Sequence, residues 1–372
     1  MKTEHSNTKI SIGINALQDL PDLIRAHGQH PLLVHGHRPV EDGLLEKVRV
    51  LLTEAGIPHT DLGQILPNPK FSSVKRGVRK AQEEGCDMIL SLGGGSTLQC
   101  AKGIAYGLKF DKKDGKLWDM WEGKIQPKGA APVAAVLTNP ATGAELNDEC
   151  TLVRDGKQKS LHSPYGECAF AVLDPTLSML PYYPTMNQVF GIFSYIFIRY
   201  LASNDADGQK DLEMMQSLLE CAKALEVNIE DPKARTSLFQ VGLEAHQFKQ
   251  TIQGDLNKLA DTLSYQCSLP RGTATSALFF AWSRQQIPAF SQKLALFAKT
   301  LFGIEEADEA KASQQGLDAL MQRVKNMKMA VCIPDTGLVL KKHQLKALAA
   351  DHDQYVLLKE ANQPALVQTN KQ

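Results

Sequence analysis

Asp87-Met88-Ile89-Leu90-Ser91-Leu92-Gly93-Gly94-Gly95-Ser96 carries an apolar run into three successive glycines, and residues 97–106 continue with helical character. Glycine has no Cβ, so the backbone turns sharply here and a ligand can approach it closely. The helix that follows points unpaired N–H groups and the positive end of its dipole at whatever sits over the turn. Together these features build a phosphate cradle, with Gly93, Gly94, Gly95 and Ser96 as its cofactor-binding residues and a dinucleotide pyrophosphate as the natural guest. A glycine turn by itself serves a plain strand-to-helix connection equally well, so the flanking sequence has to decide.

On either side, short apolar runs alternate with amphipathic segments: 31–36, 57–62, 88–92 and 132–137 read as strands, 41–55 and 71–84 as helices. This alternation predicts an α/β fold with a mostly parallel, Rossmann-like sheet covered by helices on both faces. Ligands of such sheets gather beyond the carboxyl ends of the strands, which brings Gly36, Gly93 and Thr138 to one crevice. From about Pro184 the pattern changes to long stretches of helical period, separated by polar breaks such as Ser203-Asn204-Asp205-Ala206-Asp207-Gly208. The chain therefore reads as two domains, 1–183 binding a dinucleotide and 184–372 all-helical. The first helix of the second, 185–201, is apolar nearly all round and is expected to be buried.

Composition narrows the partners. Lys+Arg and Asp+Glu both number 41 in 372 residues, so no net field draws the chain to nucleic acid or an anionic membrane, and a small-molecule substrate is the expectation. With 43% hydrophobic and 22% charged residues the chain has ordinary core-forming capacity. The first residues lack the basic end and apolar core of a secretory signal, and the most apolar stretch, 189–201, is interrupted by Arg199 and too short to span a bilayer. A cytoplasmic location is expected. The seven cysteines are scattered, without a Cys-x-x-Cys pair, which points to reduced, mostly buried thiols.

With these pieces placed, the chain resembles the iron-containing alcohol dehydrogenase family over nearly its whole length. The resemblance is carried by Gly93-Gly94-Gly95-Ser96 with Ala101-Lys102, and by Leu137-Thr138-Asn139-Pro140-Ala141-Thr142-Gly143-Ala144-Glu145-Leu146-Asn147. Val172-Leu173-Asp174-Pro175, Leu180-Pro181 and Leu269-Pro270-Arg271-Gly272 complete it. In order and spacing these motifs are most similar to the butanol dehydrogenase and aldehyde reductase branch. The resemblance implies the dehydroquinate synthase-like architecture, with a cleft in which hydride passes between nicotinamide and an alcohol or carbonyl compound. It adds Thr138 and Thr142 as cofactor contacts, sets Lys102 facing either phosphate or solvent, and implies a homodimer.

The resemblance also implies a divalent metal, held by one Asp and three His, that polarises the substrate oxygen. Registered on Leu180-Pro181, Tyr200, Pro270 and Gly272, the four ligand positions hold Gly191, Tyr195, Asn257 and Arg271. Glycine offers no donor and arginine repels a cation, so a metal is doubtful and none of these residues is assigned to one. A further family histidine becomes Asp261, and the Asp of the glycine motif becomes Gln99. His162, His246, Cys267 and Asp261 do not pair at ligand spacing within one segment.

Without a metal, Arg271 can bind a carboxylate or polarise a carbonyl, and Tyr195 can donate a proton to a developing alkoxide with Arg271 lowering its pKa. Tyr195, Arg271 and Asp261 are thus the catalytic candidates, and an acidic substrate such as a keto or sugar acid is favoured. The alternative is that Arg271 simply pairs with Asp261 and Tyr195 fills the space beside Gly191. At the end of the first strand, where NAD-preferring relatives carry an acidic residue, stand Gly36, His37 and Arg38. Gly36 leaves room and Arg38 can take a 2′-phosphate, which favours NADP over NAD. The leading reading is an NAD(P)-dependent oxidoreductase operating without the family's metal. The second is a catalytically silent relative that keeps the nucleotide cleft as a binding or regulatory module.

Overall fold

The strands of the main sheet are three to six residues long and mostly apolar. The computed structural model describes residues 7–111, 116–139, 143–177, 180–246 and 255–364. Its strands are β1 (Lys9–Ile12), β2 (Pro31–His35), β3 (Thr60–Leu62), β4 (Met88–Gly93), β5 (Val133–Leu137), β6 (Glu149–Arg154), β7 (Lys157–His162) and β8 (Phe170–Leu173). Six of them form one parallel sheet in the order β1-β8-β5-β4-β2-β3, and β6 pairs with β7 as a separate antiparallel hairpin. β2, β4, β5 and β8 are buried at every residue, as strands covered on both faces must be.

Five helices accompany the sheet: α1 (Leu20–Arg25), α2 (Arg38–Glu41), α3 (Leu44–Glu54), α4 (Phe71–Glu84) and α5 (Gly95–Lys109). On one face, Leu23 and Ile24 of α1 and Val48 and Leu52 of α3 join a core with Leu33, Leu90, Val136 and Val172 of the strands. Each such side chain contributes about 1.5–3 kcal/mol when fully buried. α5 packs against β4 and α4 packs against α5. The stretch expected as one helix over 41–55 is two, because Gly43 turns the chain between α2 and α3. β1, β8 and the β6–β7 hairpin are additions to the expected strands.

The chain divides into two units, Met1–Met179 with Gly242–Lys249, and Leu180–Val241 with Gln250–Gln372. Past β8 the secondary structure is helical: α6 (Tyr182–Ala202), α7 (Asp205–Val227), α8 (Pro232–His246), α9 (Asp255–Cys267), α10 (Arg271–Gln285), α11 (Ile287–Phe302), α12 (Glu309–Asn326), α13 (Lys342–Leu348) and α14 (His352–Ala361). This is the Rossmann-like sheet followed by an all-helical part that the sequence predicts. From 185 to 201 every residue of α6 is buried except Gly191, Tyr195 and Arg199, which repeat at i, i+4 and i+8 on one stripe. Its buried aromatics pack edge to face: Phe190 on Phe279 at 5.2 Å, Phe197 on Phe279 at 5.0 Å and Phe197 on Phe297 at 5.2 Å between ring centres. Among the described residues no helix is long and apolar enough to cross a membrane. All seven cysteines are free thiols, and all but Cys267 are buried.

Candidate active site

β2 leaves the sheet towards β3, whereas β4 leaves it towards β5, so the strand order reverses between them. Outside the carboxyl ends of two such strands lies the crevice where open α/β sheets bind ligands. The parallel register sets His35 beside Leu92 and Gly93 beside Leu137, and the Thr138 N–H donates to the Gly93 carbonyl at 2.9 Å. Gly36, Gly93 and Thr138 therefore do meet at one edge. Gly93 has φ +143°, and a Cβ there would lie 3.0 Å from Thr97 Oγ1, so no other residue fits the turn without strain. Gly94 caps α5 in an extended conformation, Gly95 and Ser96 open the helix, and its first turn has no acidic residue to repel an anion. The cradle fits a pyrophosphate. Thr142 lies outside the described residues.

Gly36 answers two demands at once, because a Cβ on it would sit 3.1 Å from the Ile65 carbonyl as well as filling space beside the turn. Arg38 opens α2, and its Nε donates to Asp42 Oδ2 at 3.0 Å, four residues on. Its guanidinium is held by a carboxylate and remains 42% exposed, while the His37 side chain is 83% exposed.

In the helical unit, Pro270 caps α10 and Arg271 is its first residue. Arg271 Nε donates to Asp261 Oδ1 at 2.6 Å, joining α9 to α10, with both side chains a little under half exposed. The pairing is the one set out as the alternative for Arg271. Beside it, Gly272 approaches α6 so closely that a Cβ would lie 2.7 Å from the Asn187 carbonyl. Thr273 Oγ1 bonds Asn187 Oδ1 at 2.9 Å and Tyr183 Oη at 2.8 Å, which locks α10 against the start of α6. Tyr195 departs from expectation. Burial raises its pKa, and the cation that opposes this is Arg199, one turn along α6, in place of Arg271.

At the four positions where the resemblance implies metal ligands, Gly191 brings no donor and Arg271 a permanent positive charge. Asn257 and Tyr195 are both half-buried, and the Tyr195 phenol is pushed away from the ionised form that would bind a cation. This donor set does not fit a divalent metal.

A sequence profile described as iron-containing alcohol dehydrogenase matches residues 7–175. A probable NADH-dependent butanol dehydrogenase of Bacillus subtilis (strain 168) is 29% identical over 326 residues, covering 84% of each chain. An NADPH-dependent aldehyde reductase of Escherichia coli (strain K12) is 30% identical over 201 residues, 53% of this chain and 51% of that one. The crystal structure of an NADH-dependent butanol dehydrogenase A from Thermotoga maritima superposes with a TM-score of 0.86 at 24% identity, over 96% of this chain and 91% of that one, a likeness of fold. Residues 7–175 thus match the iron-containing alcohol dehydrogenase family, and relatives named as dehydrogenases and reductases align with the chain beyond them.

Two residues of the glycine-motif helix are used in a way the sequence did not reveal. Lys102 faces neither phosphate nor solvent: it is fully buried, and its Nζ donates to the carbonyls of Ala144 and Asn147, both at 2.7 Å. Gln99, standing where the family has Asp, accepts the Thr151 N–H at 2.8 Å through Oε1 and so ties α5 to β6. Glu145, in the second family motif, is fully buried, and neither of its carboxyl oxygens has a hydrogen-bond partner. Only the motif spacing marked these residues, because a lysine looks solvent-bound until the carbonyls that receive it are placed by the fold.

Proposed function

We propose that this chain is an NADP-preferring reductase of an acidic carbonyl compound, which works without the family's metal. Bound at the cradle, the nicotinamide would supply or accept the hydride. Gly93 and Gly94 let the backbone approach the pyrophosphate, and the first N–H groups of α5 face it. Gly36 and Arg38 favour the 2′-phosphate, with Arg38 exchanging its bond to Asp42 for one to the ligand. Of the two relatives, one is named a probable NADH-dependent enzyme and the other an NADPH-dependent one.

The observation that carries the reading is the Arg271–Asp261 pair. A permanently charged, planar donor stands at a position where the family has a metal ligand, and Asp261 balances its charge while leaving it accessible. A substrate carboxylate can share that guanidinium in a two-point bond that a neutral aldehyde lacks. Tyr195 keeps its proton at neutral pH, since burial raises its pKa, and so is available as a donor. Steady-state kinetics test this. Arg271→Leu should raise KM for an acidic carbonyl substrate by about 10–100-fold and change kcat by only a few fold. An unchanged KM would remove Arg271 from substrate recognition. Nucleotide binding with no turnover of any alcohol, aldehyde or keto acid would favour the silent binding module instead.

A further inference from the structure

Lys102 sits two turns into α5, the helix whose first turn forms the cradle. Its ammonium donates to the carbonyls of Ala144, Asn147 and Glu149 at 2.7, 2.7 and 3.2 Å, and to Asn147 Oδ1 at 3.3 Å. Three protons meet four acceptors, all within 144–149, the stretch that follows the second motif's Thr138-Asn139. One buried cation thus joins the cradle helix to segment 144–149.

Between two of those acceptors in the sequence, Glu145 brings a second ionisable group. Glu145 is fully buried, its oxygens are unpartnered, and the Thr8 hydroxyl nearby donates at 2.9 Å to the Glu145 carbonyl and leaves the carboxyl alone. A buried carboxylate without donors is expensive, and the neutral acid is favoured. Burial accordingly pushes the Glu145 pKa up to about 7, opposed first by its own backbone N–H and then by Lys102. Two thiols lie within electrostatic reach of the pair. The Cys168 thiol, ahead of β8, is raised to about 11, and the Cys150 thiol on β6 is raised as well. Glu167 acts on Cys168, Glu149 on Cys150, and His246 at the end of α8 faces Gly143, where a Cβ would lie 2.5 Å from its ring.

We infer that Lys102 is a positioning residue for the nicotinamide nucleotide and that the proton on Glu145 sets its grip. While Glu145 is neutral, Lys102 stays on the three carbonyls and the cradle helix and segment 144–149 are held together. Once Glu145 loses its proton, the carboxylate competes for the ammonium, the carbonyls are released, and the nucleotide binds more weakly. By linkage, binding then favours the protonated enzyme, so affinity falls as pH rises through neutrality. The inference rests on the proposal that a nicotinamide nucleotide occupies the cradle.

The test is a fluorescence titration of the full chain with NADH, whose phosphates keep their charge between pH 6 and 8.5, at constant ionic strength. The Kd of the unmodified protein should rise about tenfold across that range. Glu145→Gln should hold the low-pH affinity throughout, and Lys102→Met should bind weakly at every pH with little slope. A Glu145→Gln variant with the slope of the unmodified protein, or a flat profile in the unmodified protein, would overturn the inference. Amide hydrogen exchange of residues 144–149 without nucleotide provides a second reading. Beyond the intrinsic pH effect, exchange should accelerate with pH in the unmodified protein and not in Glu145→Gln. Absence of NADH binding at any pH would defeat the cofactor proposal, and the exchange data alone would then uphold or overturn the clamp.

Discussion

At the scale of single residues, two of the proposed ligand contacts are already paired with an acidic neighbour. Arg38 is bonded to Asp42 and Arg271 to Asp261, both at the surface, where such pairs are worth about 0–1 kcal/mol. A phosphate or carboxylate on the ligand competes readily with pairs this weak. Asp42→Asn should therefore free Arg38 and remove a negative charge near the 2′-phosphate. NADPH affinity should improve about 3–10-fold while NADH affinity stays within twofold, as read by parallel fluorescence titrations. Equal effects on both nucleotides would show that Arg38 does not read the 2′-phosphate. The sequence made Gly36, Gly93 and Thr138 legible because strand ends and glycine turns have local signatures. Lys102, Gln99 and Glu145 were not legible as partners, since their contacts join segments some 40–50 positions apart.

Among the elements, α6 carries the greatest load, because it bears Gly191 and Tyr195 on a stripe whose third member is Arg199. Its beginning is fastened by Arg235, fully buried, whose Nε donates to the Ile229 carbonyl at 2.8 Å and whose Nη2 donates to the Leu180 carbonyl at 2.9 Å. Its end is fastened by Lys293, which donates to the carbonyls of Tyr200 and Leu201 at 2.8 and 3.2 Å. An ion pair between Arg199 and the buried Asp211 joins α6 to α7. Arg235→Ala should cost about 2–4 kcal/mol by leaving buried carbonyls unsatisfied and a void behind, lowering the thermal midpoint by several degrees. NADPH affinity should be unaffected, since the cradle belongs to the other unit; a large loss of affinity would mean that α6 shapes the nucleotide site. The long apolar period of α6 made it readable in advance. β1 and the β6–β7 hairpin escaped notice for the opposite reason. β1 has four residues, and β7 exposes Lys157, Gln158, Ser160 and His162, so neither shows an apolar alternation long enough to register.

For the whole molecule, fold and family follow from the order of short motifs, and the chemistry follows from the places where this chain departs from them. The parallel sheet and the helical part that follows it share the fold of the Thermotoga maritima structure. The departures are concentrated at Gly191, Tyr195, Asn257 and Arg271, a donor set that cannot hold a divalent cation by those side chains. The most direct measurement is NADPH oxidation with a panel of keto and sugar acids, on protein stripped with a strong chelator and verified metal-free by plasma mass spectrometry. The same protein is then assayed with Fe²⁺ or Zn²⁺ added back. The account predicts turnover of at least one acidic carbonyl at a rate the added metal does not raise. Activity that disappears on stripping and returns with about one metal per chain would contradict it.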